Sequence, residues 1–150
     1  MLVQSQIKES FQRILPQKDA FAATFYKRLL QNHPQFQPLF EHVSMQRQHA
    51  SLIATLTLLV SGSERGEDLT PAFHKLGRLH FERSIRPEHY PAFGDTLMET
   101  MALFDPAWTP AHREAWSSAL DACVREMMKS YEPTATQYRV QISGVRTRRP

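Results

Sequence analysis

The seven histidines of this chain are the side chains with the widest chemistry, and their spacing excludes several familiar sites. They occupy positions 33, 42, 49, 74, 80, 89 and 112. No HExxH motif occurs and no two histidines are four residues apart, so a zinc pair on one helix face is not predicted. The sequence also has no GxSxG nucleophile elbow and no Ser-His-Asp arrangement. What remains is the chemistry of a single histidine, which in a helical protein is haem ligation before any other.

His80 is the histidine best suited to that chemistry. It lies one helical turn after Leu76 and next to Leu79, near the end of a predicted helix. A histidine on an apolar face can give one ring nitrogen to iron while its neighbours exclude water. The alternative is a core or boundary histidine that is hydrogen-bonded to a backbone carbonyl. For a histidine taken alone, this structural interpretation is the commoner one.

Glycine and cysteine usage removes other classes of site. The five glycines form neither a GxGxxG motif nor a P-loop, so the common phosphate cradles are not predicted. The single cysteine, Cys123, excludes an intramolecular disulfide and any CxxC metal or redox site.

The start of the chain lacks the basic-then-apolar order of a signal peptide. The most apolar stretch, residues 52–60, is too short to cross a bilayer, which takes about 20 residues. We therefore expect a cytoplasmic protein without membrane insertion.

The positive charge of the chain is concentrated at its C-terminal end. The net charge is +3, and residues 139–150 contain four arginines and no acidic residue. Without these four, 14 basic residues stand against 15 acidic ones, so residues 1–138 are nearly neutral. A basic tail is more often a solvated end or a linker than a nucleic-acid site. The length of 150 residues fits one domain with one core. We predict no nucleic-acid binding.

Apolar residues recur at helical spacing through most of the chain. The stripe Ile7, Phe11 and Ile14 is typical of a helix that ends at Pro16, and prolines 34 and 106 end later segments. The pattern indicates about seven helices and no convincing strand before residue 137. Residues 138–142 alternate between apolar and polar types and could form a strand. Proline-marked corners without heptad regularity favour an irregular all-α fold over a four-helix bundle.

Three segments carry signals for a helix start. Ser44 precedes a long apolar stripe and can cap it. Thr70-Pro71 and Thr109-Pro110 each pair a capping residue with a proline at the first helical position. The small residues between positions 61 and 66, two of them glycines, predict the end of the helix that Ser44 begins.

Several runs of residues occur in the order and spacing of one known family. The runs LGRLH (76–80) and IRPEHYP (85–91) resemble the proximal region of bacterial globins. Upstream, the runs TFYKRLL (24–30), HPQF (33–36) and LF (39–40) resemble the segments of that family that carry its distal tyrosine and its haem-packing phenylalanine. Trp116 matches a tryptophan of the family's last helix. The resemblance extends over residues 5–131. It is to single-domain haemoglobins, such as those of thermophilic methanotrophs, and to the globin domains of flavohaemoglobins.

The resemblance implies a fold, a cofactor and a set of site residues. The fold is a globin fold over residues 1–132, with about seven helices around one haem b, followed by a basic tail or linker over residues 133–150. In that family the position of His80 is the proximal iron ligand, Phe40 packs against the porphyrin and Tyr26 faces the gas. Leu76 and Tyr90 are expected among the haem-binding residues.

The register of the distal helix leaves two candidates for its polar residue. Positions four and eight residues after Gln48 are both leucines, Leu52 and Leu56, which form a continuous apolar face. The same spacing from His49 gives an isoleucine and a threonine, which is less continuous. Because a haem-facing stripe should be apolar, we predict Gln48 as the distal polar residue and Leu52 as the wall above the iron. In the alternative register, His49 ligates iron and closes the sixth position.

One position departs from the family pattern. Flavohaemoglobins orient the proximal histidine through a tyrosine and a glutamate, and Tyr90 matches the tyrosine. At the position of the glutamate the chain has Tyr131, and Glu132 follows after a further 100° or so of helix. Without a carboxylate the histidine pushes less electron density onto iron, which favours reversible gas binding over O–O bond cleavage.

The function implied by the resemblance is O2 binding at ferrous haem iron, with Tyr26 and Gln48 donating hydrogen bonds to the ligand. NO and CO are further expected ligands. Reaction of O2 with NO to give nitrate needs electrons, and we expect a separate protein to donate them because no reductase domain accompanies the globin region. One alternative is a gas-sensor input module of a larger protein. Another is a haemless helical module whose apolar pocket holds a lipid or a partner.

Overall fold

A computed structural model describes residues 2–131 as an all-helical fold. Within this range there are six α-helices, three short 3₁₀ helices and no strand. The α-helices are α1 (Leu2–Ile14), α2 (Lys18–Asn32), α3 (Met45–Arg65), α4 (Thr70–Glu82), α5 (Tyr90–Phe104) and α6 (Pro110–Lys129). The 3₁₀ helices are Leu15–Gln17, Pro34–Phe40 and Pro87–His89. The predicted all-α class is confirmed. The strand considered at 138–142 and the tail from 133 onward lie outside the described residues.

Two of the predicted helix caps are confirmed and one is wrong. The Ser44 Oγ accepts a hydrogen bond from the Arg47 N–H (3.3 Å) at the start of α3. The Thr109 Oγ1 accepts from the His112 N–H (3.3 Å) at the start of α6. Thr70 is not a cap but the first residue of α4. Its own N–H donates to Asp68 Oδ1 (3.0 Å), so the aspartate satisfies a free N–H at this helix start.

The predicted end of α3 is five residues too early, because the segment expected to be a loop from Ser61 onward is helical as far as Arg65. The helix continues through Gly62 to Arg65 and ends at Gly66, whose φ of +69° suits the left-handed residue that commonly terminates a helix. The Glu67 N–H then donates to the Gly62 carbonyl (2.9 Å). Gly62 serves packing instead of termination, because a Cβ there would lie 2.5 Å from the Cδ2 of Leu69.

The helices enclose one core, with α1 packed on α3 and α6, α2 on α3 and α5, and α4 on α6. Trp116 of α6 is completely buried and meets the ring of Phe11 edge-on, with 6.4 Å between the ring centroids. The edge-to-face geometry is favoured between aromatic rings. No helix in the described part of the chain is long and apolar enough to span a membrane.

A buried ion pair joins α1 to the turn between α5 and α6. The Arg13 guanidinium donates to both carboxylate oxygens of Asp105, the Nη2 to Oδ2 distance being 3.1 Å. The Asp105 side chain is fully buried, and it also accepts from the Ala107 N–H (2.9 Å). These bonds fix the corner from which α6 begins.

Candidate cofactor pocket

A mostly apolar cavity of about 210 Å³ lies between the helices. Side chains from α2, the 3₁₀ helix Pro34–Phe40, α3, α4, α5 and α6 line it. All seven predicted site residues belong to its wall: Tyr26, Phe40, Gln48, Leu52, Leu76, His80 and Tyr90. The structure therefore brings together residues that are up to 64 positions apart in the sequence (26 to 90).

His80 presents one nitrogen to this cavity and holds the other in a hydrogen bond. Its Nδ1 lies 3.1 Å from the Tyr90 hydroxyl, whereas its Nε2 has no hydrogen-bond partner among the described residues. Burial, with a smaller contribution from the positive charge of Arg83, lowers the pKa of His80 to about 4. The imidazole is therefore neutral near pH 7 and keeps a lone pair, as metal ligation by histidine requires.

The hydrogen bond from His80 continues through Tyr90 to Tyr131, just beyond the end of α6. The Tyr90 and Tyr131 hydroxyls are 3.0 Å apart, and the Tyr131 hydroxyl donates to the Ile85 carbonyl (2.7 Å). Burial raises the pKa of both phenols, so both stay protonated. These contacts of Tyr131 were not predicted from the sequence, in which Tyr131 was noted only as the replacement of a glutamate. Glu132 lies outside the described residues.

The opposite wall of the cavity carries a tyrosine and an amide. The Tyr26 hydroxyl donates to the Gln48 backbone carbonyl (3.5 Å) and accepts from the Gln48 Nε2 (3.4 Å). Burial raises the pKa of Tyr26 to about 12, so the phenol keeps its proton at neutral pH. Both hydrogen bonds are long, which leaves the two donors weakly engaged within the chain.

The two distal candidates occupy different surroundings. Gln48 and Leu52 line the cavity together with Leu56, the stripe expected for the first register. His49 is not among the lining residues. Its ring stacks on the ring of Tyr26, with centroids 5.4 Å apart and planes 20° apart. The arrangement supports Gln48 as the polar residue of this wall.

Phe93 and Arg83 are two of the lining residues that were not predicted from the sequence. Phe93 stacks on Phe36 (5.1 Å between centroids) and also approaches Phe40, which extends the apolar wall. Arg83 is the one permanently charged side chain among the residues that line the cavity. Its position three residues after His80, at the C-terminal end of α4, is the sequence signal that could have revealed it.

Comparison with known proteins now identifies the family. The model of the globin family matches residues 23–127. The chain belongs to the globin family. A flavohemoprotein of Vibrio cholerae is 29% identical to this globin over 103 residues, which cover 67% of this chain and 26% of the relative. The globin spans about a quarter of the length of the first curated relatives that it matches.

Solved structures agree with this fold. A protein from Pseudomonas aeruginosa PAO1, described as structurally highly homologous to a human hemoglobin, superposes with a TM-score of 0.77 and 25% identity, and covers 86% of the globin and 98% of that chain. A bacterial globin from Campylobacter jejuni has a TM-score of 0.75 at 18% identity, covering 89% and 97%. The predicted family and fold are confirmed. In this fold the helices pack around a haem pocket, and family membership therefore implies haem binding.

The residues of the cavity fit that cofactor. His80 is the one histidine among the residues that line the cavity, and most of the other lining side chains are leucine, phenylalanine, valine, isoleucine and methionine. This donor set suits an iron porphyrin, which takes one proximal imidazole and otherwise apolar contacts. No group of three or more histidine, cysteine or acidic side chains that could hold a bare metal ion occurs in residues 2–131.

Proposed function

We propose that this globin holds haem b through His80 and reversibly binds O2 on the side of the cavity where Tyr26 and Gln48 lie. The observation that carries the proposal is the pairing of these groups in one cavity. One wall offers an imidazole nitrogen without a partner, and the other offers two weakly engaged hydrogen-bond donors. An apolar pocket for a lipid would need neither feature.

The haem, when bound, supplies an iron with one open coordination position for a diatomic gas. The residues of this chain would hold the haem and keep the pocket dry. His80 Nε2 is the proposed ligand, while Phe40, Leu52 and Leu76 keep water away from the pocket. Arg83 stands at the cavity wall, where its charge suits a carboxylate of the porphyrin.

Tyr26 and Gln48 select for a gas that becomes negatively polarised when it binds. Their mutual hydrogen bonds measure 3.4 and 3.5 Å, near the limit of a useful hydrogen bond. A hydrogen bond to a charged acceptor is about twice as strong as one between neutral groups. Both donors therefore gain by turning toward O2, whereas the less polar CO offers them little.

The same pocket can support the conversion of NO to nitrate. One NO, one O2 and one electron give one nitrate ion, so turnover depends on a reductant. We propose a separate electron donor in the cytoplasm for this step. Consumption of NO by the purified globin, with and without an added reductant, measures the activity, and nitrate is the product to quantify.

An absorption spectrum of the ferric, ferrous, O2 and CO forms tests the proposal. We expect a Soret band in the purified protein, and we expect His80→Ala to lose stable haem or to retain it only with added imidazole. His74→Ala is the matched control, because His74 lies on the same helix but pairs with Glu126 (3.1 Å) away from the cavity. A ferrous spectrum of His80→Ala identical to the wild type would reassign the ligand.

A further inference from the structure

We propose that Tyr131 is a positioning residue: it orients the Tyr90 hydroxyl as the acceptor of the His80 Nδ1–H and so fixes the tautomer of His80 through a neutral phenol in place of a carboxylate. The inference rests on the proposed function of His80 as the iron ligand. It is carried by three consecutive hydrogen bonds, from the His80 ring to Tyr90, from Tyr90 to Tyr131, and from Tyr131 to the Ile85 carbonyl.

The direction of each hydrogen bond follows from the last one. The Ile85 carbonyl can only accept, so the Tyr131 hydroxyl must donate to it (2.7 Å). A phenol has one proton, so the Tyr131 oxygen can only accept from the Tyr90 hydroxyl (3.0 Å). With its own proton used, the Tyr90 oxygen must accept from His80 Nδ1–H (3.1 Å).

The tautomer places the free lone pair of His80 on Nε2, the nitrogen that has no partner among the described residues. The other ring nitrogen's hydrogen bond determines which nitrogen can bind a metal. Without Tyr131, the Tyr90 proton could turn toward His80, and the imidazole would be free to carry its proton on Nε2. Tyr131 thus influences the His80 imidazole through two consecutive hydrogen bonds, although it does not contact the ring.

The hydrogen bonds form a closed ring at the end of α4. The Ile85 carbonyl accepts from Tyr131, and the Ile85 N–H donates to the His80 carbonyl (2.9 Å). The backbone of Ile85 therefore links the last hydrogen bond back to His80. The ring joins α4 to Tyr90, the first residue of α5, and to Tyr131, which lies just beyond α6. The orientation of the imidazole is therefore fixed by three helices.

The chemical consequence is that His80 donates only limited electron density to iron. A carboxylate acceptor would draw the Nδ1 proton strongly and raise the basicity of the histidine. A neutral phenol is a weaker acceptor than a carboxylate, and the proton that Tyr90 donates to Tyr131 strengthens it only in part. The arrangement favours holding a gas over cleaving its O–O bond.

Resonance Raman spectroscopy of the ferrous, gas-free holoprotein tests the proposal through the iron–histidine stretching frequency, which falls as the ligand becomes less basic. We expect Tyr90→Phe to lower the frequency most, because His80 Nδ1–H loses its acceptor. Tyr131→Phe should lower it less, because Tyr90 remains but is no longer oriented. His74→Ala, on the same helix as His80 but outside the cavity, is the control and should leave it unchanged.

The phenylalanine at 131 keeps the ring contact with Phe81 (5.1 Å between centroids), so the variant removes the hydroxyl alone. A wild-type frequency in Tyr131→Phe would overturn the proposal while the haem stays bound. A wild-type protein that takes up no haem would overturn the proposed function with it. Proton NMR of the ferrous protein gives a second test. We expect the exchangeable, hyperfine-shifted Nδ1–H signal of His80 to exchange with solvent faster in Tyr131→Phe than in the wild type, and equal exchange rates would contradict the inference.

Discussion

Gly77 of α4 lies directly against the backbone of Met127 in α6. A methyl group at position 77 would come within 2.1 Å of the Met127 carbonyl oxygen and 2.7 Å of its carbonyl carbon. The obstacle is backbone, which cannot rotate away as a flexible side chain could. The close approach sets the distance between α4 and α6, and His80 follows three residues later on α4.

Gly77→Ala is therefore expected to destabilise the protein and to weaken haem retention. Overpacking of this kind costs about 1–3 kcal/mol, which exceeds the gain of about 0.5–1 kcal/mol from replacing glycine in a helix. Urea unfolding of the holoprotein measures the first effect, and haem transfer to an acceptor globin measures the second.

Gly94→Ala is the control for the helix-propensity contribution, and both glycine variants are compared for it in the haem-free protein because Gly94 lines the cavity. A Cβ at Gly94 of α5 would meet no atom of the chain within 4 Å, so its free energy of unfolding should change by no more than about 1 kcal/mol. Equal stabilities of Gly77→Ala and the wild type would show that α4 can move away from α6 without cost.

Arg13→Met should destabilise the protein by about 3 kcal/mol at pH 7, because it leaves the buried Asp105 carboxylate without its cation. This is the low end of the usual cost, since the half-buried Arg13 leaves a path for water. Arg28→Met is the control: its partner Glu99 (3.3 Å) is exposed, and such surface pairs contribute about 1 kcal/mol or less.

The pH dependence of stability gives the same ion pair a second test. Burial raises the pKa of Asp105, but the hydrogen bonds from Arg13 and from the Ala107 N–H outweigh it, and the pKa is lowered overall. A lowered carboxyl pKa stabilises the fold above the unfolded value of 3.8, and the contribution is lost as the pH falls through the lower folded value. Unfolding at pH 7, 5 and 3 should show a steeper loss below pH 4 in the wild type than in Arg13→Met.

Several features of the site could be predicted from the sequence because they depend on local spacing. The apolar stripe that follows Gln48 gave the register of α3, and the position of His80 near a helix end followed from the same 3.6-residue period. The end of α3 was missed because a glycine can have two different roles in a helix. Gly62 is packed closely against the Leu69 side chain, and only Gly66 has a positive φ.

The contacts of Tyr131 could not be predicted, because they depend on how α6 is placed against α4. That placement is set by the packing of Gly77 on Met127, a tertiary contact between residues 50 positions apart. A periodicity argument gives the face of each helix, but not the distance or rotation between two helices.

His49→Ala should leave the ferric and ferrous absorption spectra unchanged, because the ring of His49 stacks on Tyr26 and does not line the cavity. Loss of the stack is expected to loosen the Tyr26 ring and to speed O2 release by less than the loss of the Tyr26 hydroxyl itself. A change of the ferric spectrum from six-coordinate low-spin to high-spin in this variant would support the alternative register.

The relation between Tyr26 and Gln48 leads to a prediction about gas release. A hydrogen bond to a charged group contributes about 1.5–3 kcal/mol, and 1.4 kcal/mol corresponds to a factor of ten. If most of that energy is lost in dissociation, Tyr26→Phe should speed O2 release about ten- to hundredfold. Release of CO should change much less, which makes CO the internal control for damage to the pocket.

Gln48→Leu should act in the same direction, and the double variant decides whether the two donors act on one ligand. Tyr26 and Gln48 are hydrogen-bonded to each other, so their effects should be non-additive if both donors serve the same oxygen. Stopped-flow displacement of O2 from the wild type, the two single variants and the double variant measures the coupling. Equal O2 release from the wild type and Tyr26→Phe would remove Tyr26 from the site, and additive effects would mean that the two donors act independently.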